Sequence, residues 1–295
     1  MNKNFFRSMA LALAVVPAIA GLASAQATTA PKTGNPFYAM DTSFQRPGLT
    51  FQQQLDLVKQ LGYAGTAWHE NDPAQVREAL AATEKSGLKM VTIYCAAEVN
   101  AQGDITWSPQ LPKLMEVLDG HGTIIWLHIG GRGPAFDRLK DDSPAVVKLR
   151  SLAKSAEAHG LSVAIYPHFG EWTAHFADAT RLARLVHHPR FGVTFNLCHA
   201  LAGGDEKQIP QLLEEAKPVL ATVTICGADS GVSGPQWNRL IRTLDRGSFD
   251  VGQVLRTLRK IDFRGPIGFQ GYAIPGDARS ILAPTMSAWR KLTEK

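Results

Sequence analysis

Short apolar runs alternate with amphipathic segments along nearly the whole chain, and this alternation predicts the fold. The apolar runs are typical of buried strands. The segments between them place apolar residues on one helical face, as Leu55 and Val58 do within 51–61 and as Leu149 does within 145–159. Strands are predicted to begin near Phe37, Ala64, Met90, Ile124, Val163, Val193, Thr222 and Ile267.

Glycines mark the ends of the predicted helices. Gly62, Gly87 and Gly160 each follow a helical pattern and precede a strand, which is the position of a left-handed C-cap. Eight strands that alternate with eight helices predict an α/β fold, a single (β/α)8 TIM barrel with right-handed crossovers. The alternative is a doubly wound open sheet. That fold is expected to carry a glycine-rich loop after its first strand, and residues 41–44 (DTSF) do not form one.

Polar side chains follow six of the predicted strands, at positions where a residue that only filled the core would be apolar. The clearest case is Phe195-Asn196-Leu197-Cys198-His199, at the end of the strand that begins near Val193. The carboxyl ends of barrel strands form the functional face of this fold, so the pattern predicts an enzyme site. The other five strand ends carry His69, His128, His168, Asp229 and Gln270.

The N-terminal segment is set apart by its composition. Two basic residues precede an apolar stretch, and Ala23-Ser24-Ala25 follows as a small-residue cleavage site. We interpret residues 1–25 as a secretory signal peptide, 26–34 as a disordered leader and 35–295 as the barrel domain. The alternative is an uncleaved membrane anchor, for which the apolar stretch is too short. The expected location is therefore periplasmic or secreted, with no membrane attachment after cleavage.

Charge and cysteine content narrow the function classes. The formal net charge is +5 at pH 7, and the basic residues are scattered over the predicted helices rather than interleaved with aromatic residues. This distribution argues against a nucleic-acid partner. The three cysteines, Cys95, Cys198 and Cys226, cannot build a disulfide framework. The hydrophobic core itself therefore has to stabilise the exported chain.

Several motifs carry a resemblance to a known family. They are Leu61-Gly62-Tyr63, Ile165-Tyr166-Pro167-His168, the 195–199 motif, Gly247-Ser248-Phe249-Asp250 and the last strand, 265–270 (GPIGFQ). Over nearly all of the predicted barrel domain, the chain resembles the xylose-isomerase-like superfamily of sugar isomerases and epimerases. The resemblance implies a sugar-handling barrel that isomerises or epimerises ketoses, or eliminates across keto-glycosides. Some distant members of the superfamily cut DNA at abasic sites.

Three positions depart from the family pattern. Members that bind a divalent metal usually carry Glu, Asp and Glu where this chain has Tyr166, Asn196 and Gln270. A hard cation such as Mg²⁺ or Mn²⁺ prefers anionic oxygen ligands, so the usual metal centre is not expected and the cofactor stays unassigned. A softer site on strand-end histidines is left open, with His128, His168, His199 and Asp229 as candidate ligands.

Histidines are the predicted proton-transfer groups, because an imidazole titrates near neutral pH. His168 and His199 follow adjacent strands, so they are expected to reach one sugar carbon from two sides. Tyr166, Asn196 and Gln270 are expected to donate hydrogen bonds to the enolate that forms. The alternative for each histidine is a structural role, in which it caps the barrel core through backbone hydrogen bonds.

Further substrate contacts are predicted in the loops that follow strands. Aromatic faces stack on sugar rings, which favours Trp172 and Trp237 as platforms. Trp126 lies within a strand and is expected in the core. The alternative for the polar candidates is a solvated or locally hydrogen-bonded loop residue. These candidates are His69, His128, Asp229 and Arg239.

Together these features predict an exported sugar isomerase or epimerase that removes a proton next to a carbonyl. A keto-glycoside lyase that works by β-elimination and a non-catalytic carbohydrate-binding protein are the alternatives. A metal-dependent abasic-site nuclease is disfavoured, because it needs a zinc-ligand cluster and a basic groove. The expected partner is a sugar or keto-sugar, and oligomerisation is left open.

Overall fold

The computed structural model describes residues 34–69 and 72–294. The predicted signal peptide, residues 1–25, and the predicted leader apart from Gly34 lie outside the described residues. Within the described part of the chain, no helix is both long enough and apolar enough to cross a membrane.

Eight parallel strands form a closed ring, which confirms the predicted TIM barrel. The ring closes where the last strand pairs with the first in parallel register. A ninth, short strand lies outside the ring and pairs antiparallel with the end of the third. The strands are β1 (Phe37–Met40), β2 (Gly65–Trp68), β3 (Lys89–Val99), the antiparallel β4 (Ile105–Trp107), β5 (Ile124–Gly131), β6 (Ser162–Ile165), β7 (Phe191–Asn196), β8 (Leu220–Ile225) and β9 (Ile267–Phe269).

Helices connect the strands and pack around the ring. The helix predicted over 51–61 has these limits in the structure, and Thr50 caps it through a reciprocal hydrogen-bond pair with Gln53. The three glycines predicted as C-caps have φ angles of 98°, 67° and 68°, the left-handed conformation that glycine adopts without strain. The helices are α1 (Asp41–Phe44), α2 (Phe51–Leu61), α3 (Pro73–Lys85), α4 (Leu111–Val117), α5 (Pro144–Ala158), α6 (Phe176–Val186), α7 (Leu197–Ala202), α8 (Ile209–Ala216), α9 (Trp237–Leu240), α10 (Val251–Lys260) and α11 (Ala278–Thr293).

Large aromatic side chains fill the interior of the ring. Trp126 from β5 is fully buried there, and its Nε1 donates a hydrogen bond to Oγ1 of Thr222 over 3.0 Å. Tyr38 from β1 and Tyr166, just after β6, belong to the same buried cluster. The barrel therefore has a packed interior rather than a pore. The polar residues that follow the strands lie on the carboxyl-terminal side of this aromatic layer.

The motif at residues 195–199 forms a strand end followed at once by a helix. β7 ends at Asn196 and α7 begins at Leu197, so His199 lies in the first turn of α7 and not at the end of an extended strand. The physical reason is the run at 200–202 (ALA), whose residues favour a helix. The helix ends at Ala202, and Gly203 is its C-cap.

Candidate active site

A cavity of about 390 Å³ opens at the carboxyl-terminal ends of the barrel strands. TIM-barrel enzymes carry their sites on this face, and the volume lies within the range of about 300–1,000 Å³ that is usual for small-molecule sites. Six residues predicted from the sequence line it: His69, Tyr166, His168, His199, Trp237 and Gln270. The other predicted residues lie outside this lining: Asn196, His128, Trp172, Asp229 and Arg239.

One turn after β6 positions several groups of the site. The N–H of Glu171 donates to the carbonyl oxygen of His168 over 3.1 Å, and Gly170 between them has a φ of 88°. A positive φ at the third position of a turn is the condition of a type II turn, which glycine meets without strain. The turn therefore places the carboxylate of Glu171 beside the imidazole of His168. Its second residue, Phe169, directs its N–H toward His199.

His199 is a neutral imidazole with a defined tautomer. Its Nδ1 accepts the backbone N–H of Phe169 over 3.0 Å. Burial, and after it the neighbouring His168, lower the pKa of His199 from 6.5 to about 3. A neutral imidazole whose Nδ1 accepts a hydrogen bond carries its proton on Nε2. His199 is therefore a hydrogen-bond donor at neutral pH, and it lines the cavity.

His168 lies next to His199 and near a carboxylate. The two imidazole centroids are 4.4 Å apart, and Nδ1 of His168 is 3.4 Å from Oε1 of Glu171. Burial lowers the pKa of His168, while the negative charge of Glu171 opposes this shift. Nδ1 of His168 is buried and makes no hydrogen bond within the described part of the chain, so Glu171 acts on this imidazole through its charge.

Glu171 also holds His128, which lies within β5 and not at its end as the sequence predicts, because β5 continues to Gly131. Nδ1 of His128 is 2.8 Å and 3.0 Å from the two carboxylate oxygens. The ring of His128 stacks on Tyr94 at a centroid distance of 4.4 Å. Sequence reasoning missed Glu171, although its place three residues after a strand-end histidine was a signal for it. His128 thus contacts Glu171 and Tyr94, of which Tyr94 lines the cavity.

A neutral hydrogen-bond network also lines the cavity. Nε2 of Gln270 donates to the hydroxyl of Tyr166 over 3.3 Å, and Oε1 of Gln270 accepts from the hydroxyl of Thr42 over 3.2 Å. Burial raises the pKa of Tyr166 well above its ordinary value, so the phenol stays protonated. Tyr166 accepts from Gln270 and keeps its own proton for donation to another acceptor.

The side chains at the three positions that depart from the family pattern, Tyr166, Asn196 and Gln270, are not suitable ligands for a hard divalent cation. The phenol of Tyr166 and the amide of Gln270 bond to each other, and Oδ1 of Asn196 accepts from Sγ of Cys198 over 3.2 Å. None of the three supplies an anionic oxygen. Among the described residues, no group of three or more His, Cys, Asp or Glu side chains has the arrangement of a metal site.

A second imidazole–carboxylate pair lies where β1 and β2 end. Oδ2 of Asp41 contacts Nδ1 of His69 and also accepts the backbone N–H of His69 over 2.9 Å. Oδ1 of Asp41 accepts the N–H of Thr42 over 2.8 Å. Asp41 is buried, with 1% of its side chain exposed, whereas 56% of the His69 side chain is exposed. The sequence gives no signal for Asp41 as a site residue, because its partner His69 lies 28 residues further along the chain.

The remaining predicted residues have local partners. Nε1 of Trp172 donates to the carbonyl oxygen of Pro134, and its ring stacks on Phe136 at 4.6 Å. Asp229 forms an ion pair with Arg239 at 3.1 Å and another with Arg242 at 2.9 Å. The ion pairs of Asp229 match the alternative stated for it, a locally bonded loop residue. Trp237 lines the cavity, edge-on to His199 at a centroid distance of 5.2 Å.

The barrel and its convergent strand-end histidines define a TIM-barrel protein with an enzyme-like cavity. The sequence profile of the xylose isomerase-like TIM barrel family matches residues 55–281, and the chain belongs to that family. No curated protein matches the chain significantly.

Solved structures with this fold are distant in sequence. The chain is similar to the IOLI protein with a bound zinc atom, with a TM-score of 0.68 and 14% identity over 88% of this chain and 98% of that one. A probable 3-DHS dehydratase from Bacillus anthracis gives 0.64 and 13% over 86% and 98%. A 3-keto-D-glucoside 4-epimerase from E. coli gives 0.63 and 16% over 87% and 99%. At these identities, the likeness establishes the fold alone.

Proposed function

We propose that this chain is an exported enzyme that isomerises or epimerises a saccharide by removing a proton from the carbon next to a carbonyl group. One observation carries the proposal. A neutral imidazole fixed as a donor, His199, and a second imidazole paired with a carboxylate, His168, lie 4.4 Å apart in the wall of one cavity. Removal of such a proton needs both a base and a donor to the oxygen that becomes negative.

The hydrogen bonds divide the work between the two histidines. Nε2 of His168 takes the proton from carbon, and the carboxylate of Glu171 faces the imidazolium that results. The Nε2 proton of His199 bonds to the carbonyl oxygen, which becomes the enolate oxygen. The sequence predicts a proton-transfer role for both histidines. Because Nδ1 of His199 already accepts the N–H of Phe169, His199 is assigned here as the donor.

The cavity is suited to an uncharged sugar. Among the described residues that line it there is no lysine or arginine, which are the usual partners of a phosphate group. Trp237 and Tyr94 supply aromatic surface, and Gln270 and Thr42 supply polar atoms. A sugar ring has an apolar face that can stack on these aromatic side chains and hydroxyl groups at its edge that can bond to the polar atoms. Among similar structures, one D-allulose 3-epimerase is described in complex with D-allulose and one D-psicose 3-epimerase with D-tagatose.

A carbohydrate-binding protein without catalysis is the second candidate. The neutral side chains Tyr166, Asn196 and Gln270 at the positions where metal-binding relatives carry carboxylates favour it. A keto-glycoside lyase begins with the same proton removal as an isomerase, so its product rather than its first step distinguishes it.

Exchange of carbon-bound hydrogen with solvent deuterium tests the proposal without knowledge of the product. The protein is incubated in D2O with the four D-ketohexoses and with a 3-keto-D-glucoside, and loss of each proton next to the carbonyl is followed by NMR. Exchange in at least one sugar is expected, and His168→Asn is expected to slow it by a factor of about 10² or more. Binding without exchange in any of these sugars would favour the carbohydrate-binding protein.

Export is part of the same proposal. The order of two basic residues, an apolar stretch and Ala23-Ser24-Ala25 supports cleavage after Ala25. The mature chain would then act on sugars in the periplasm or outside the cell. Fractionation of the producing cells, followed by detection of the protein in each fraction, tests the location.

A further inference from the structure

We infer that Asp229 is a positioning residue of the site: it holds the segment that carries Trp237, and through Trp237 it sets how tightly a saccharide binds. Trp237 lines the cavity, whereas Asp229 lies outside its lining. The inference rests on the proposed function, because it takes a saccharide as the ligand of this cavity. It adds a residue that acts on affinity and not on the proton transfer.

Trp237 begins a very short helix in the connection between β8 and α10. This helix, α9, has only four residues, and a helix of that length is not stable through its own hydrogen bonds. Contacts with the rest of the connection therefore have to fix the position of its side chains. Two backbone hydrogen bonds, of 3.0 Å and 2.8 Å, join Gly227 and Arg242, and residues 227–242 between them are called the Trp237 segment.

The carboxylate of Asp229 joins two arginines of the Trp237 segment. Its Oδ2 accepts from Nε of Arg239 over 3.1 Å and lies 2.9 Å from Nη2 of Arg242. The backbone N–H of Asp229 also donates to the carbonyl oxygen of Arg239 over 2.9 Å. Only 15% of the Asp229 side chain is exposed, and hydrogen bonds between charged groups are stronger than neutral ones. Asp229 therefore ties α9 to the chain that follows β8.

The position of α9 determines what the cavity presents to a ligand. Trp237 and Ile241 both line the cavity, and the N–H of Ile241 donates to the carbonyl oxygen of Trp237 over 2.8 Å. The ring of Trp237 also packs against Phe169 at a centroid distance of 6.2 Å. A platform that is held in place before the ligand arrives binds more tightly than one that has to be ordered on binding. Loss of the Asp229 carboxylate is therefore expected to weaken binding.

Other contacts keep the Trp237 segment folded when Asp229 is replaced. The N–H of Gly234 donates to the carbonyl oxygen of Ala202 over 2.9 Å, and the N–H of Gly231 donates to Oε2 of Glu206 over 2.7 Å. Asp229→Asn is therefore expected to loosen α9 without unfolding the segment. The hydrogen bond from Phe169 to His199 does not involve this segment, so the proton transfer is expected to be affected less than binding.

A double-mutant cycle tests whether Asp229 acts through Trp237. Wild type, Asp229→Asn, Trp237→Ala and the double variant are titrated by NMR with the sugar of the panel above that wild type binds most tightly, and kcat for deuterium exchange is measured at saturation. Kd is expected to rise by about threefold or more in Asp229→Asn and by about tenfold in Trp237→Ala. The double variant is expected to bind no more weakly than Trp237→Ala. In Asp229→Asn, kcat is expected to change by less than about twofold, whereas general destabilisation would not separate Kd from kcat in this way.

Two further variants complete the test. Asp245 pairs with Arg246 at 3.4 Å outside the cavity lining, so Asp245→Asn is the matched control and should keep the wild-type Kd. Arg239→Gln breaks the same ion pair from its other side and should raise Kd as Asp229→Asn does, which also covers a failure of Asp229→Asn to fold.

The contrary results separate this inference from the proposed function. If the effects of Asp229→Asn and Trp237→Ala on Kd multiply in the double variant, Asp229 does not act through Trp237, and the inference is wrong while the proposed function stands. An unchanged Kd in Asp229→Asn or in Arg239→Gln, or a fall in kcat alone, has the same meaning. If wild type neither binds nor exchanges any sugar of the panel, the proposed function fails and the inference fails with it.

Discussion

Acid is expected to destabilise this protein through His199. Burial, and after it His168, lower the pKa of His199 from 6.5 to about 3 in the folded protein. Between these two values, the unfolded chain binds a proton at this imidazole and the folded chain does not. The free energy of unfolding therefore falls as the pH falls through this window. Above the unfolded pKa, both the folded and the unfolded chain leave this imidazole unprotonated, and the burial of His199 then costs no stability through protonation. The loss is about 1.4 kcal/mol for each pH unit below the unfolded pKa of 6.5. Acidification from pH 7 to pH 5 therefore lowers the free energy of unfolding by about 2 kcal/mol.

Urea denaturation of wild type and His199→Asn at the two pH values measures this contribution. The other titrating groups are common to both proteins, so the difference between the two losses isolates His199. Wild type is expected to lose about 2 kcal/mol more than the variant. Equal losses would show that His199 titrates like an exposed histidine, and its assignment as a neutral donor would then be wrong.

Glu171, the metal content and the amino terminus give three further tests. Glu171→Gln removes the charge that faces His128 and His168, and it is expected to lower kcat for proton exchange by about tenfold or more with a smaller effect on KM. Glu157→Gln is the matched control, because Glu157 pairs with His188 at 3.8 Å outside the cavity lining; an equal loss in both variants would contradict the role of Glu171. Elemental analysis is expected to find no stoichiometric Mg²⁺ or Mn²⁺, since Tyr166, Asn196 and Gln270 offer no anionic oxygen; one tightly bound ion per chain, with activity lost to a chelator, would overturn this. Amino-terminal sequencing of the protein purified from its producing cells is expected to begin at Gln26, and a chain that keeps Met1 and partitions with membranes would refute cleavage.

The barrel could be predicted because its strands and helices repeat a simple pattern. Each buried strand is a short apolar run, the long helices have one apolar face, and three of them are followed by a left-handed glycine such as Gly62. Such local signals do not depend on distant parts of the chain. The short helix α7 was not predicted, because the apolar motif at 195–199 fits a strand as well as a buried helix.

The histidines of the site could be predicted, but their carboxylate partners could not. His168 follows a strand in the sequence, so its place on the functional face follows from the fold alone. Asp41 lies 28 residues before His69, and only the pairing of β1 with β2 brings them together. Glu171 approaches His128 through the turn at Gly170. Trp172 lies next to the same turn, and its Nε1 donates to the carbonyl oxygen of Pro134, a contact that no local pattern in the sequence shows.

Deuterium exchange by protein that has been treated with EDTA tests the central claim most directly. The claim is that His168 removes the proton with His199 as donor, without a divalent cation at Tyr166, Asn196 and Gln270. Treated wild type is expected to exchange the proton next to the carbonyl of its sugar at the untreated rate, and His168→Asn at a rate lower by a factor of about 10² or more. Exchange that disappears with EDTA and returns with Mn²⁺, or that His168→Asn leaves unchanged, would contradict the claim.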